Sequence, residues 1–242
     1  MPAPFPVASL RDFYAFEQHV KTCRAHRGLD MVPQWYQVPV FYFSNPLAII
    51  GDGDQVWAPQ GSSALDFELE LACVIGSPAR DLPPDDSAME CVAGFTIMND
   101  WSARDLQRAE MAVGLGPSKS KDFATSLGPR LVPFVELKDV YREGRLHLDM
   151  TARVNGKQYS HGNASSMYWT WPQLLAHASR DTELRPGDVL GSGTVGTGCI
   201  LELTPEAVGG WLQPGDVVEL GIERLGTLRN VIASPPMATG GH

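Results

Sequence analysis

From Asp66 the chain alternates strictly: Phe67, Leu69 and Leu71 fall to one side and Glu68 and Glu70 to the other, the period of a strand with one apolar face. A second strand run covers "CVAGFTIMND". "LHLDMTARVNGKQYS" contains Asn155-Gly156, the strongest short hairpin signal in the chain, and "GDVVELGIERLGTLRNVIA" reads as a closing strand pair. Helical spacing of Phe13, Phe16, Val20 and Cys23 predicts a helix over 9–28, with Ser9 and Asp12 as a capping box and Gly28 as its C-cap. A second helix is expected from Ser102, again with an acid, Asp105, three residues on, and a third over "WPQLLAHAS". Residues 31–60 mix Pro, Gly and aromatics and predict short strands with irregular connections, while "GLGPSKSKDFATSLGP" predicts a loop. Strands outnumber helices and no βαβ alternation appears. The pattern therefore predicts a β-rich α+β roll or barrel rather than a Rossmann sheet. It predicts one domain over 1–242, with no repeat or linker and with 235–242 as a frayed tail.

Composition narrows the function. The 242 residues are 43% hydrophobic and 19% charged, ordinary for a globular chain. A formal charge of -9 without a basic stripe argues against nucleic acid or a membrane surface as partner, though a local Arg or Lys can still hold an anionic substrate. No apolar run approaches the roughly 20 residues of a membrane helix. The opening residues show no basic and apolar leader, so a cytoplasmic protein is expected. Cys23, Cys73, Cys91 and Cys199 form no CxxC pair and read as reduced, half-buried small residues.

Candidate chemistry starts at Glu68 and Glu70. Two residues apart on a strand, their side chains leave one face about 6–7 Å from each other. Two bare carboxylates that close repel, and a cation between them relieves the repulsion. The competing reading is a strand with its charges in solvent. Asp100, ending an apolar strand, and Asp12, at the head of the first predicted helix, add oxygens. Four carboxylates without His/Cys clustering describe a hard-cation site for Mg²⁺, with Ca²⁺ or Mn²⁺ as alternatives, rather than zinc. His19 lies seven helical steps after Asp12, about 20° short of two turns, which puts the two on one stripe roughly 10 Å apart. A partly buried neutral histidine there would serve as a general base, or be an ordinary core histidine. Arg104 and Gln107 share a helix face and can donate to a carboxylate or oxyanion, or be a solvated face. Lys121 sits in a Gly/Ser-rich loop, where lysines are commonly just solvated.

Taken together, "DFYAFEQH", "LDFELELACVIG", "IMNDWSARDLQ", "SKDFATSLGP", "NASSMYWTWPQLL", "LRPGDVLGSGTVG" and "LEL" resemble, in order, segments of the fumarylacetoacetate hydrolase family. The early Asp12, Tyr14 and His19 segment makes the resemblance closer to fumarylacetoacetases than to the shorter acylpyruvase and decarboxylase members. The resemblance implies a mixed β-roll and a homodimer. It implies Asp12, Glu68, Glu70 and Asp100 as metal ligands, His19 as the base that activates water and Glu202 as the residue that orients it. It further implies Lys121, Arg104 and Gln107 around the oxyanion, and Tyr14, Tyr42, Arg27 and Thr194 against substrate. Where such enzymes carry a substrate tyrosine four residues beyond Gln107, this chain has Met111, and the N-terminal domain of fumarylacetoacetases is expected to be missing. The implied activity is metal-dependent hydrolysis of a carbon–carbon bond in a 1,3-dicarbonyl acid. Decarboxylation, hydration or isomerisation of a β-keto or 2-keto acid is the alternative on the same ligands. A silent metal-binding scaffold is the third reading, which the base and oxyanion donors disfavour.

Overall fold

The computed structural model describes residues 4–236; most of the predicted tail, 237–242, lies outside them. Seven strands form the larger sheet in the order Phe41–Ser44, Ser9–Phe13, Asp188–Gly191, Leu69–Ile75, Val92–Asp100, Thr125–Pro133 and Ile49–Ile50. A second sheet orders Lys157–Asn163, Asp149–Val154, Val217–Ile222, Gly226–Ile232 and Gln55–Val56. Between them lies the main core, with Leu69, Leu71, Phe95 and Ile97 from the first sheet and Met150, Ala152, Leu220 and Leu228 from the second. Each such leucine, fully withdrawn from water, contributes roughly 1.5–3 kcal/mol.

The other face of the large sheet carries only a small apolar cluster: Leu10, Ala72, Val74, Met98, Leu127 and Val189. Because side chains on a strand repeat every second residue, this cluster fixes where the acids go. Leu10 is followed on its face by Asp12, Met98 by Asp100, and Val74 and Ala72 are preceded by Glu70. Three strands therefore run from apolar contacts into carboxylates at the same end of the sheet. The alternation from Asp66 was legible for this reason, but its polar side is buried rather than solvated: Glu68 is 5% exposed and Glu70 0%.

The Asn155-Gly156 hairpin forms as predicted, both residues at positive φ (52° and 77°), as the tight two-residue turn between strands requires. The closing strand pair and the helix Trp171–Ser179 also form. The first predicted helix does not begin at Ser9. Residues Ser9–Phe13 are a strand, parallel to Asp188–Gly191 on one edge and antiparallel to Phe41–Ser44 on the other, and the helix runs Glu17–Ala25. Ladder partners on both sides outweigh a short helical periodicity that only Phe16, Val20 and Cys23 keep. Ser9 hydrogen-bonds Asp188 instead of capping, and the common stripe expected for Asp12 and His19 does not exist. Likewise Ser102 lies in a two-residue strand with Ala103; the helix starts at Arg104 without a side-chain cap, and Asp105 accepts from Ser62 and Ser63. The predicted loop ends at Ala124, because Thr125–Pro133 pairs with the Asp100 strand. All four cysteines are buried rather than half-buried. Among the described residues no helix is long and apolar enough to cross a membrane.

Candidate metal and catalytic centre

Asp12, Glu68, Glu70 and Asp100 each bring one carboxylate oxygen into a group whose members all lie within 4.8 Å of one another. Two unit charges at that distance repel by about 3.5 kcal/mol at an effective dielectric near 20, so four bare anions cannot coexist there uncompensated. Burial, with Asp100 adding to it, pushes the Asp12 carboxyl up to about 8. Burial and then the neighbouring Asp12 and Glu68 raise Glu70 well above the usual range, and Asp100 is raised by burial against the pull of Lys121. Three oxygens, Asp12 Oδ1, Glu70 Oε2 and Asp100 Oδ1, are buried without a hydrogen-bond partner. Buried acceptors seldom stay unpartnered, so three orphaned oxygens in one cage of hard donors fit a divalent cation.

The backbone leaves room for this cage. Gly191 pairs with Asp12 in the sheet, and a Cβ there would run into Asp12 Oδ1 and the Met98 methyl group. Beyond it, the 192–198 segment is tied to the Glu70 strand by Ser192 N to Leu71 O (2.9 Å), Val195 N to Leu69 O (3.1 Å) and Leu69 N to Gly198 O (2.9 Å). This lays Thr194 against the cage, its Oγ1 donating to Glu70 Oε1 at 3.2 Å. Tyr42, on the strand beside Asp12, donates its hydroxyl to Asp100 and lies 3.1 Å from Asp12 Oδ2.

Glu68 differs from its neighbours. Lys121 Nζ donates to Glu68 Oε2 (2.5 Å) and Asp100 Oδ2 (2.6 Å), and Arg104 donates to Glu68 Oε1 (2.8 Å). Burial alone would raise Glu68, but Lys121 and Arg104 outweigh it and hold it well below the usual carboxylate range. Lys121 is buried, not a solvated loop lysine. Its loop is pinned by Glu110, which accepts from Ser118 N and Ser120 Oγ at 2.8 and 2.6 Å. Arg104 also donates Nε to Asp66 (2.8 Å) and an N–H to Gln107 Oε1 (3.0 Å). Its guanidinium thus positions Glu68, and Gln107 meets Arg104 with its oxygen.

His19 and Glu202 come together across 183 residues. His19 Nδ1 contacts Glu202 Oε1, and Glu202 Oε2 accepts from Thr197 N at 2.7 Å. The Tyr14 ring meets the imidazole edge-on, centroids 5.4 Å apart. Burial would lower the imidazole, yet Cys199 and Glu202 outweigh it and push it up to about 10. The Cys199 thiol is itself driven well above 9 by burial. Arg27, in the turn after the helix, is exposed and donates Nε to Cys23 O at 3.1 Å; its charge opposes the burial that raises Tyr14.

The candidate metal, catalytic and substrate residues thus lie in or beside one centre, Arg27 at its exposed margin. Met111, by contrast, is 42% exposed. Sequence reading missed Asp66, which has the same strand parity as Glu68 and Glu70 and could have been found by it. It accepts from Ile200 N (2.8 Å) and Leu201 N (3.0 Å), so it anchors both Arg104 and the short helix Ile200–Leu203 that carries Glu202. The expectation of no His/Cys clustering is also overturned: His19, Cys23, Cys199 and Glu202 form a second buried group. Only tertiary structure joins its two halves.

Residues 9–233 match the sequence profile described as fumarylacetoacetate (FAA) hydrolase C-terminal. A fumarylacetoacetase from Arabidopsis thaliana is 32% identical over 255 residues, covering 84% of this chain and 60% of that protein. An oxaloacetate tautomerase from Bacillus subtilis is 35% identical over 198 residues, covering 80% and 61%. The chain spans about 60% of the length of the fumarylacetoacetases it matches. Among solved structures, a 5-carboxymethyl-2-hydroxymuconate delta-isomerase from Mycobacterium smegmatis superposes with a TM-score of 0.74 at 27% identity, covering 96% of this chain and 81% of that one.

Proposed function

The chain belongs to the fumarylacetoacetate hydrolase family, and from that premise we propose that it is a divalent-metal-dependent hydrolase cleaving a carbon–carbon bond in a 1,3-dicarbonyl acid. The observation that carries the reading is the pairing of His19 with Glu202 beside a cage of carboxylates with three orphaned oxygens. Asp12, Glu68, Glu70 and Asp100 would hold the cation, Mg²⁺ first among candidates, and when bound it supplies Lewis-acid polarisation of the substrate carbonyls. His19 in its neutral form takes a proton from water, with Glu202 holding Nδ1 and leaving Nε2 as the acceptor. Hydroxide adds to the acyl carbonyl, and the Lys121 ammonium stands at the cage wall to offset the developing negative charge. Losing one such donor raises the barrier by roughly 3–4 kcal/mol. The carbon–carbon bond then breaks, its electron pair staying on the carbon next to the remaining carbonyl, and that carbon takes a proton. One water is consumed and a carboxylic acid and a methyl ketone acid are released.

A second reading, proton transfer without cleavage on a 2-keto or β-keto acid, draws support from the tautomerase and isomerase relatives. The dyad favours hydrolysis, since tautomerisation consumes no water. A panel of acylpyruvates and 3,5-diketo acids with Mg²⁺ or Mn²⁺, with products identified, decides between them. Hydrolysis gives a cleaved acid pair; a tautomer or an uncleaved isomer as sole product overturns it. His19→Ala is expected to abolish turnover while metal binding survives, and wild-type rates in that variant would falsify the role given to the dyad.

A further inference from the structure

The His19–Glu202 pair shares its pocket with two thiols. Cys23 Sγ lies 3.8 Å from each ring nitrogen of His19, and Cys199 Sγ lies 4.0 Å from Glu202 Oε1. One donor atom from each of the four residues falls within 4.8 Å of all the others, and all four residues are buried. We propose that His19, Cys23, Cys199 and Glu202 form a second cation site, separate from the carboxylate cage, which takes a thiophilic divalent ion such as Zn²⁺ and thereby silences the dyad.

Donor chemistry separates the two sites. The cage offers only carboxylate oxygens, whereas this group offers two sulfurs, an imidazole nitrogen and one carboxylate, the set that suits tetrahedral zinc. With Zn–S near 2.3 Å and Zn–N near 2.0–2.1 Å, the edge of such a tetrahedron is about 3.5–3.8 Å. The Cys23–His19 and Cys199–Glu202 separations already stand close to that edge, the other pairs lie within 4.8 Å, and the His19–Glu202 contact has to open. Two rigid pieces present the ligands in pairs: His19 and Cys23 are one turn apart on the helix Glu17–Ala25, and Cys199 directly precedes the short helix that bears Glu202. Binding releases the two thiol protons and, from protonated His19, the Nδ1 proton, and leaves two thiolates, a neutral imidazole and a carboxylate around the dication. The ion would occupy His19 Nδ1, the atom that Glu202 holds, and so remove the base; this inhibitory half rests on the function proposed above.

The test is run on fully reduced protein with Mg²⁺ saturating, using Co²⁺ as the probe. Thiolate-to-cobalt charge-transfer absorption is expected in the wild type and its loss in C23S/C199S. X-ray absorption of the Zn²⁺-loaded wild type needs no variant and is expected to show two sulfur ligands. A shell of nitrogen and oxygen alone, or an undiminished cobalt band in the double variant, overturns the site whatever the activity. In turnover assays the double variant is expected to raise the apparent Zn²⁺ inhibition constant at least roughly a hundredfold, since losing two ligands should exceed the 10–100-fold effect of outer-shell changes. Equal Zn²⁺ sensitivity overturns the inhibitory half. Sulfur ligation in a protein that cleaves no diketo acid leaves the site standing and sinks the hydrolase reading instead.

Discussion

His19 shows how much a single contact sets. In the fold it is a buried imidazole whose pKa rises because its partners outweigh desolvation, reaching about 10. A base works in its neutral form, so kcat/KM should climb with pH through the imidazole pKa, and the limb should lie well on the alkaline side of the ordinary value near 6.5. Glu202→Gln keeps the shape and removes the negative charge. That variant should lower the rate and move the limb down toward neutrality, read from a kcat/KM profile against pH. A limb that stays in place would show that Glu202 does not tune His19. Glu68 shows the converse: surrounded by Lys121 and Arg104, it stays ionised where Asp12 and Glu70 tend to keep protons. The same residue type takes opposite states a few ångströms apart.

At the scale of elements, the joint between cage and dyad is Asp66. Its carboxylate holds Arg104, which holds Glu68, and it receives two N–H groups from the start of Ile200–Leu203. Asp66→Asn leaves a buried guanidinium short of its counter-charge, a loss of about 3–5 kcal/mol in comparable buried pairs. Urea unfolding should show that loss, and a Mn²⁺ titration should show weaker binding because Glu68 is no longer braced; unchanged Mn²⁺ affinity would separate Asp66 from the cage. This joint explains what could be read in the sequence. The Glu68 and Glu70 parity is local and was visible, as were the Asn155-Gly156 turn and the strand ending in Asp100. The strand Ser9–Phe13 was not, since its partner Asp188–Gly191 is remote and the helical spacing of Phe16, Val20 and Cys23 runs straight into it. Nor was the thiol pair beside the dyad, because Cys23 and Cys199 meet only when the helix Glu17–Ala25 packs near Ile200–Leu203. Resemblance supplied Glu202, Tyr42 and Thr194; no local pattern would have.

Across the whole molecule, cation, proton and fold are linked through the cage. In metal-free protein Asp12, Glu70 and Asp100 have folded pKa values above those of an unfolded chain, Asp12 at about 8 against an ordinary 4. The folded state then holds protons that the unfolded chain gives up, so stability is full below about 4 and declines as pH rises toward about 8. Glu68 has the opposite sign: its contribution is present above its ordinary pKa near 4.5 and is lost as pH falls below it. Metal-free protein should therefore have a stability maximum on the acid side of neutrality. A divalent cation takes the place of the protons on the three raised acids, and its stabilising effect should grow across the same window. Urea midpoints measured in EDTA should fall between about pH 5 and pH 8, while those in saturating Mg²⁺ or Mn²⁺ stay nearly flat. Glu70→Gln should remove most of the gap by deleting both the repulsion and a ligand. Parallel curves with and without the cation would mean that the three orphaned oxygens hold no metal, and the cage would then be only a proton store.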